Sequence, residues 1–188
     1  MLASPADLED FAVGFTVSEG LVANASEVLE VRVEPGEHAV DVHLRIAPAR
    51  FSALLQQRRN LTGRTGCGLC GAETLEQALR PVAAVQAGAP IDVEELHAAL
   101  RELSSRQPLN AQTGSVHAAG WVSAGVGLIC VREDVGRHNA LDKTLGALLR
   151  AGADLNSGYM LITSRASFEM VQKSATAGIG LLAAVSAP

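Results

Sequence analysis

Val116-His-Ala-Ala-Gly-Trp-Val122, Gly127-Leu-Ile-Cys-Val131, Asn139-Ala-Leu-Asp-Lys-Thr-Leu-Gly-Ala-Leu-Leu-Arg150 and Tyr159-Met-Leu-Ile-Thr163 follow one another in the C-terminal part of the chain. The short apolar runs bounded by turn residues, with Gly125 between the first two, predict strands, and the longer run predicts a helix. A further helix from Ser167 to Ala177 and a strand from Ile179 to Val185 continue the alternation. Two strand-helix-strand steps predict an α/β fold, a mixed sheet with helices packed on its faces. Cys130 lies mid-strand between Ile129 and Val131, where a buried thiol acts as a small hydrophobe.

Towards the N-terminus the pattern changes. Ser4-Pro5 followed by Asp7, Glu9 and Asp10 supplies a cap, a first-turn proline and negative charge for a helix whose apolar face is Leu8, Phe11, Ala12 and Phe15, ending near Gly20. Val28 to Val33 and Ala39 to Ile46 alternate around Glu34-Pro35-Gly36-Glu37 and predict a hairpin, with His38 and His43 as solvated strand residues. Phe51, Leu54 and Leu55 mark a short helix, and Thr74 to Leu79 one or two helical turns. Asp92 caps a helix through Leu103 with Val93, Leu96, Ala99 and Leu100 on one face, and His97 belongs to its surface. The polar run from Ser104 to Ser115 reads as a long loop, a lid or site wall. Three parts follow: an N-terminal helix and hairpin (1–60), a cysteine loop with a helical connection (61–112), and an α/β core (113–188), together one compact unit.

The 188 residues are 48% hydrophobic with few aromatics, which suits a core of small aliphatic side chains. A formal charge of -5 without long runs gives no basic stripe for nucleic acid and no polybasic anchor for lipid. The opening residues lack the features of a signal peptide, and no apolar run approaches the roughly 18 residues that cross a bilayer. A cytoplasmic protein is expected. An odd count of three cysteines fits a reducing compartment.

Two of those cysteines stand in Thr65-Gly-Cys67-Gly-Leu-Cys70-Gly71, a composition that reads as an exposed, flexible loop presenting thiols. Structural zinc would need a second ligand pair, a thioredoxin-like dithiol would sit at a strand-to-helix junction, and a stable disulfide fits the compartment poorly. A nucleophilic or sulfur-carrying thiol needs reach and a lowered pKa, to which Arg64 is the nearest contributing charge. Open α/β sheets place ligands at strand ends, and three stretches qualify. Glu133-Asp-Val-Gly-Arg-His-Asn139 opens into a helix whose N–H groups, with Arg137 and His138, suit an anion; alternatively Asn139 or His138 only caps the helix while Asp134 pairs Arg137. Thr163-Ser-Arg-Ala-Ser167 opens the next helix, with Arg165 as a fork for phosphate oxygens. His117 begins its strand after Thr113-Gly-Ser115, either as a ligand or as a hydrogen-bonded structural histidine.

Cys67-Gly-Leu-Cys70-Gly, Thr113-Gly-Ser-Val-His117-Ala-Ala, Glu133-Asp-Val-Gly-Arg-His-Asn-Ala-Leu-Asp-Lys143 and Ser164-Arg-Ala-Ser-Phe-Glu-Met-Val-Gln-Lys173 together resemble the FdhD family of formate dehydrogenase accessory sulfurtransferases along nearly the whole chain. The resemblance implies a cytidine-deaminase-like core, a homodimer, and transfer of persulfide sulfur from a cysteine desulfurase to the molybdenum cofactor carrying two molybdopterin guanine dinucleotides, which is then inserted into formate dehydrogenase. It implies Cys67 as the persulfide carrier with Cys70 as companion. It gives His117, Asp134, Arg137, His138, Asn139, Ser164 and Arg165 a guanine-nucleotide ligand, with no structural metal. His117-Ala-Ala119 lacks the glutamate of a zinc deaminase, and no Pro-Cys-x-x-Cys follows, which disfavours deamination. Against the family pattern, strands before the first helix and a last helix with a glycine- and arginine-containing strand are missing, so weaker cofactor binding is expected. The alternative is a carrier or chaperone that binds the cofactor and its enzyme partner without transferring sulfur.

Overall fold

Residues 1–51, 82–88 and 90–186 are described by the computed structural model of this chain. In chain order the elements are α1 (Leu8–Ser18), β1 (Val28–Pro35), β2 (Val40–Ile46), α2 (Val93–Ser105), α3 (Pro108–Thr113), β3 (His117–Ser123), β4 (Gly127–Asp134), α4 (Arg137–Arg150), β5 (Gly158–Arg165), α5 (Phe168–Thr176) and β6 (Leu182–Ser186). Four of the strands form a mixed sheet in the order β4-β3-β5-β6, antiparallel except for the parallel pair β5 and β6.

Strand alternation sorts the core into two layers. Ala119 and Trp121 of β3, with Met160 and Ile162 of β5, face Ala140, Leu141, Leu145 and Leu148 of α4 and Met170 of α5. Ala118, Val122, Tyr159 and Leu161 face Ala99 and Leu103 of α2 on the other side. Gly120 makes that second layer possible, because a β-carbon there would press on Leu128 and on Leu103 of α2. Cys130 is half-buried against the first layer, in keeping with a packing role, and burial pushes its thiol pKa up.

A third layer is α1, which lies on α4. The two helices cross at Gly14 and Gly146: a β-carbon on Gly14 would collide with the Asp142 carbonyl, and one on Gly146 with the Asp10 carbonyl. Around the crossing, Arg132 of β4 pairs with Asp10 (2.8 Å), and Arg150 pairs with Glu9 (2.6 Å) and Asp10. The hairpin β1–β2 is a separate two-stranded sheet that sets Val31 against Leu44 and Val33 against Val42, with Glu30 opposite Arg45 on its charged face. His43 stands exposed 3.5 Å from Glu34, as a solvated strand residue should.

Several boundaries differ from the sequence reading. The first helix starts after Asp7, itself left-handed at φ 56°, and not at Ser4, whose N–H is taken by Asp134. The run from Ser104 to Ser115 is not a loop throughout, since α3 forms within it with Pro108 in its first turn and Gly114 at φ 61° closing it. Strand β4 continues through Asp134 and β5 through Arg165, while Ile179 precedes the last strand as a buried plug. Asp92 does cap α2, accepting the Glu94 N–H at 3.0 Å, although Val93 is exposed and Leu103 takes the buried position. The helices assigned after Phe51 and at Thr74 to Leu79 lie outside the described residues. No helix among the described residues is long and apolar enough to cross a membrane.

Candidate anion site at the strand ends

The sheet register brings the three candidate stretches to one end of the sheet. His117 is paired with Asp134, and the pairing of Ala119 with Ile162 carries Thr163 to Arg165 to the same end. Thr163 Oγ1 accepts the Ala118 N–H at 2.9 Å, which ties β5 to the start of β3. Helices α4 and α5 both begin there, at Gly136 and Ser167, and neither has a side-chain cap. Uncapped helix N-termini present unpaired N–H groups and positive potential.

Asp134 does not pair with Arg137, one of the two possibilities left by the sequence. It is fully buried and forms an ion pair with buried Lys143 at 2.7 Å. Its carboxylate also accepts the Ser4 N–H (2.9 Å), the Gly136 N–H (2.8 Å) and the Asn139 side-chain amide (2.9 Å). Asn139 donates further to the Leu2 carbonyl, at 2.9 Å. Asp134 and Asn139 therefore shape the turn from inside through these protein partners. Ser164 is buried as well, with its hydroxyl turned to the Arg165 carbonyl at 3.3 Å, whereas Arg165 is exposed.

The groups left open are Arg137 Nε, His138 Nε2 and Ser167 Oγ, buried polar atoms without a hydrogen-bond partner. Buried polar atoms are nearly always bonded, so three at one end of a sheet mark a place where something else supplies the partners. Burial first, then the charges of Arg137 and Lys173, lowers the His138 pKa to about 4, so the ring is neutral at physiological pH. Half-buried His117 is shifted down too, by burial and then by Arg137. Neutral imidazoles offer one donor and one acceptor each, while Arg137 supplies the fixed positive charge. The set suits a ligand with both anionic and neutral polar groups.

Below His138, one helical turn on, Asp142 meets Lys173 of α5. Lys173 Nζ lies 2.8 Å from Asp142 Oδ2, 3.0 Å from Glu19, 2.9 Å from Ser18 Oγ and 5.1 Å from the Phe15 ring centre. Burial opposes its charge, but Asp142 and Glu19 outweigh that and hold the ammonium above its ordinary pKa. Sequence reasoning placed Ser167 in a candidate stretch without singling out its hydroxyl, and gave no role to Lys143, Asp142 or Lys173. The available signal was spacing, since His138 with Asp142 and Asn139 with Lys143 are i, i+4 pairs inside an otherwise apolar helix. Cys67 and Cys70 lie outside the described residues.

The whole chain, residues 1–188, matches the family profile described as FdhD/NarQ family. It is 54% identical over 188 residues to the sulfur carrier protein FdhD of Cupriavidus necator and 53% identical to that of Xanthomonas axonopodis pv. citri. The match covers 100% of this chain, but 65% and 67% of those proteins, so the chain spans about two thirds of the length of these relatives. Among solved structures, a proposed formate dehydrogenase accessory protein from Desulfotalea psychrophila superposes with a TM-score of 0.70 at 29% identity, over 99% of this chain and 67% of the other.

Proposed function

Starting from a chain that belongs to the FdhD/NarQ family, we propose that it is a sulfur carrier acting as a sulfurtransferase for formate dehydrogenase. The observation that carries this reading is the identity over all 188 residues of this chain, 54% and 53%, to proteins named sulfur carrier protein FdhD. In this reading a Cys67 thiolate attacks the outer sulfur of a cysteine desulfurase persulfide. The new bond makes a Cys67 persulfide, and the electron pair of the broken sulfur–sulfur bond leaves on the desulfurase cysteine. The substrate that receives the sulfur is the molybdenum cofactor with two molybdopterin guanine dinucleotides. Cys70 either shapes the loop that presents Cys67 or attacks the inner sulfur, which releases hydrosulfide and leaves a Cys67–Cys70 disulfide for a cellular thiol to reduce.

Support for a nucleotide-bearing substrate comes from the open strand-end groups. Arg137 and the two uncapped helix starts suit phosphate, and His117, neutral His138 and Ser167 suit neutral hydrogen-bonding groups. Exposed Arg165 at the end of β5 is the second phosphate fork in this reading.

The test is mass spectrometry after incubation with a cysteine desulfurase and cysteine. The parent should gain one sulfur, Cys67→Ala none, Cys70→Ala a reduced amount, and Cys130→Ala the parent amount. Sulfur loading of Cys67→Ala at the parent level would remove Cys67 as carrier and leave the non-transferring cofactor chaperone as the better description.

A further inference from the structure

The turn that presents Arg137 and His138 is held on its inner side by Asp134, which accepts the Gly136 N–H, and by the Ala140 N–H on the Gly136 carbonyl. Its outer support comes from the opposite end of the chain. Ser4 is buried and contacts the turn through two groups, its N–H donating to Asp134 Oδ2 (2.9 Å) and its Oγ accepting the Val135 N–H (3.1 Å), while its carbonyl accepts from Lys143 Nζ of α4 (2.9 Å). The Leu2 carbonyl adds a bond from Asn139 Nδ2. On the inner side, Gly136 leaves room for that amide, which sits 3.0 Å from where a β-carbon would be.

Lys143 has its buried charge met by Asp134 on one side and by the Ser4 carbonyl on the other. Without Ser4 Oγ, the part-buried bond to the Val135 N–H is lost, and the turn keeps only its Asp134 contacts on that side, which favours conformations in which it opens. A turn that must be re-ordered when ligand arrives binds it more weakly, because the ordering cost is then taken from the binding free energy. We propose that Ser4 is a positioning residue for the strand-end site, holding the 134–138 turn in its ligand-ready shape from the segment before α1. This rests on the reading above that Arg137 and His138 contact a guanine nucleotide.

The probe is guanosine diphosphate, titrated by calorimetry against the full chain and three variants, with melting temperature and amide exchange followed in parallel. Ser4→Ala should weaken binding about fivefold, the factor for one hydrogen bond, and speed exchange of the Val135 amide. Ser4→Thr, which keeps the hydroxyl, should stay within about twofold of the parent. A residue that serves stability alone would lower the melting temperature and leave the affinity of the folded protein unchanged. Parent affinity in Ser4→Ala, alongside weakened binding in Arg137→Ala, overturns the positioning role while the site stands. Parent affinity in Arg137→Ala overturns the site, and the role of Ser4 with it. Should Ser4→Ala not fold, Gly136→Ala perturbs the same turn through Asn139, and the same loss of affinity is expected; an unchanged affinity there counts against the turn as the determinant.

Discussion

His138 loses water on burial and has Arg137 and Lys173 as positive neighbours, so its ring remains uncharged down to about pH 4. Its pKa in the unfolded chain is near the ordinary 6.5. Between those two values the unfolded state binds a proton that the folded state refuses, so stability is complete above about pH 6.5 and falls as the pH drops towards 4. His138→Gln should flatten that part of the stability profile, measured as denaturation midpoint against pH. An identical slope in variant and parent would show that His138 is not the group responsible. The same residue shows what a sequence can and cannot disclose at this scale: the Glu133 to Lys143 run is distinctive, but its residues divide between inward and outward tasks. Asp134 and Asn139 look like ligands in the sequence and serve the turn. Ser167 looks like an ordinary cap and has a hydroxyl with no partner.

At the scale of elements, local patterns were legible wherever the partners are local. The Asp92 cap rests on Glu94 two residues on, the alternation from Val40 to Ile46 on the adjacent strand of its hairpin, and the Gly125 turn on the local bond from the Val126 N–H to the Ser123 carbonyl. Helix α3 was not legible, because what caps it is remote: Glu133 on β4 accepts the Leu109 and Asn110 N–H groups at 2.9 and 2.7 Å. Glu133→Ala should therefore fray α3 and cost about 1 kcal/mol in chemical denaturation, the usual value of a lost cap. No loss of stability, with α3 amides as protected as before, would contradict the capping role. The α1–α4 crossing makes a sharper demand. Because backbone carbonyls, not flexible side chains, occupy the space beside Gly14 and Gly146, Gly146→Ala should cost about 3 kcal/mol or more, at the upper end of overpacking. A cost below that of Gly→Ala changes at open positions would mean that the helices separate easily.

For the whole molecule, α1 is fastened along its length: through Ser4 just before it, through Asp10 in its middle, and through Ser18 and Glu19 at its end. The last of these fastenings is buried and joins three helices. Lys173 and Asp142 are enclosed by three helices, and Ser18 Oγ donates to Asp142 at 2.6 Å while accepting from Lys173 at 2.9 Å. Burying such a pair need not stabilise the fold over an apolar replacement, but removing one partner strands the other's charge. Lys173→Met should accordingly cost about 3–5 kcal/mol, whereas Asp142→Leu combined with Lys173→Met should recover much of that loss. The raised Lys173 pKa sets the pH dependence: its contribution is full below the unfolded value of 10.5 and disappears as the pH rises through the higher folded value, so Lys173→Met should also weaken the alkaline loss of stability. A double-mutant cycle in urea at neutral and alkaline pH measures both effects. Additive single-site costs, with no recovery in the double variant, would mean that the two charges do not depend on each other.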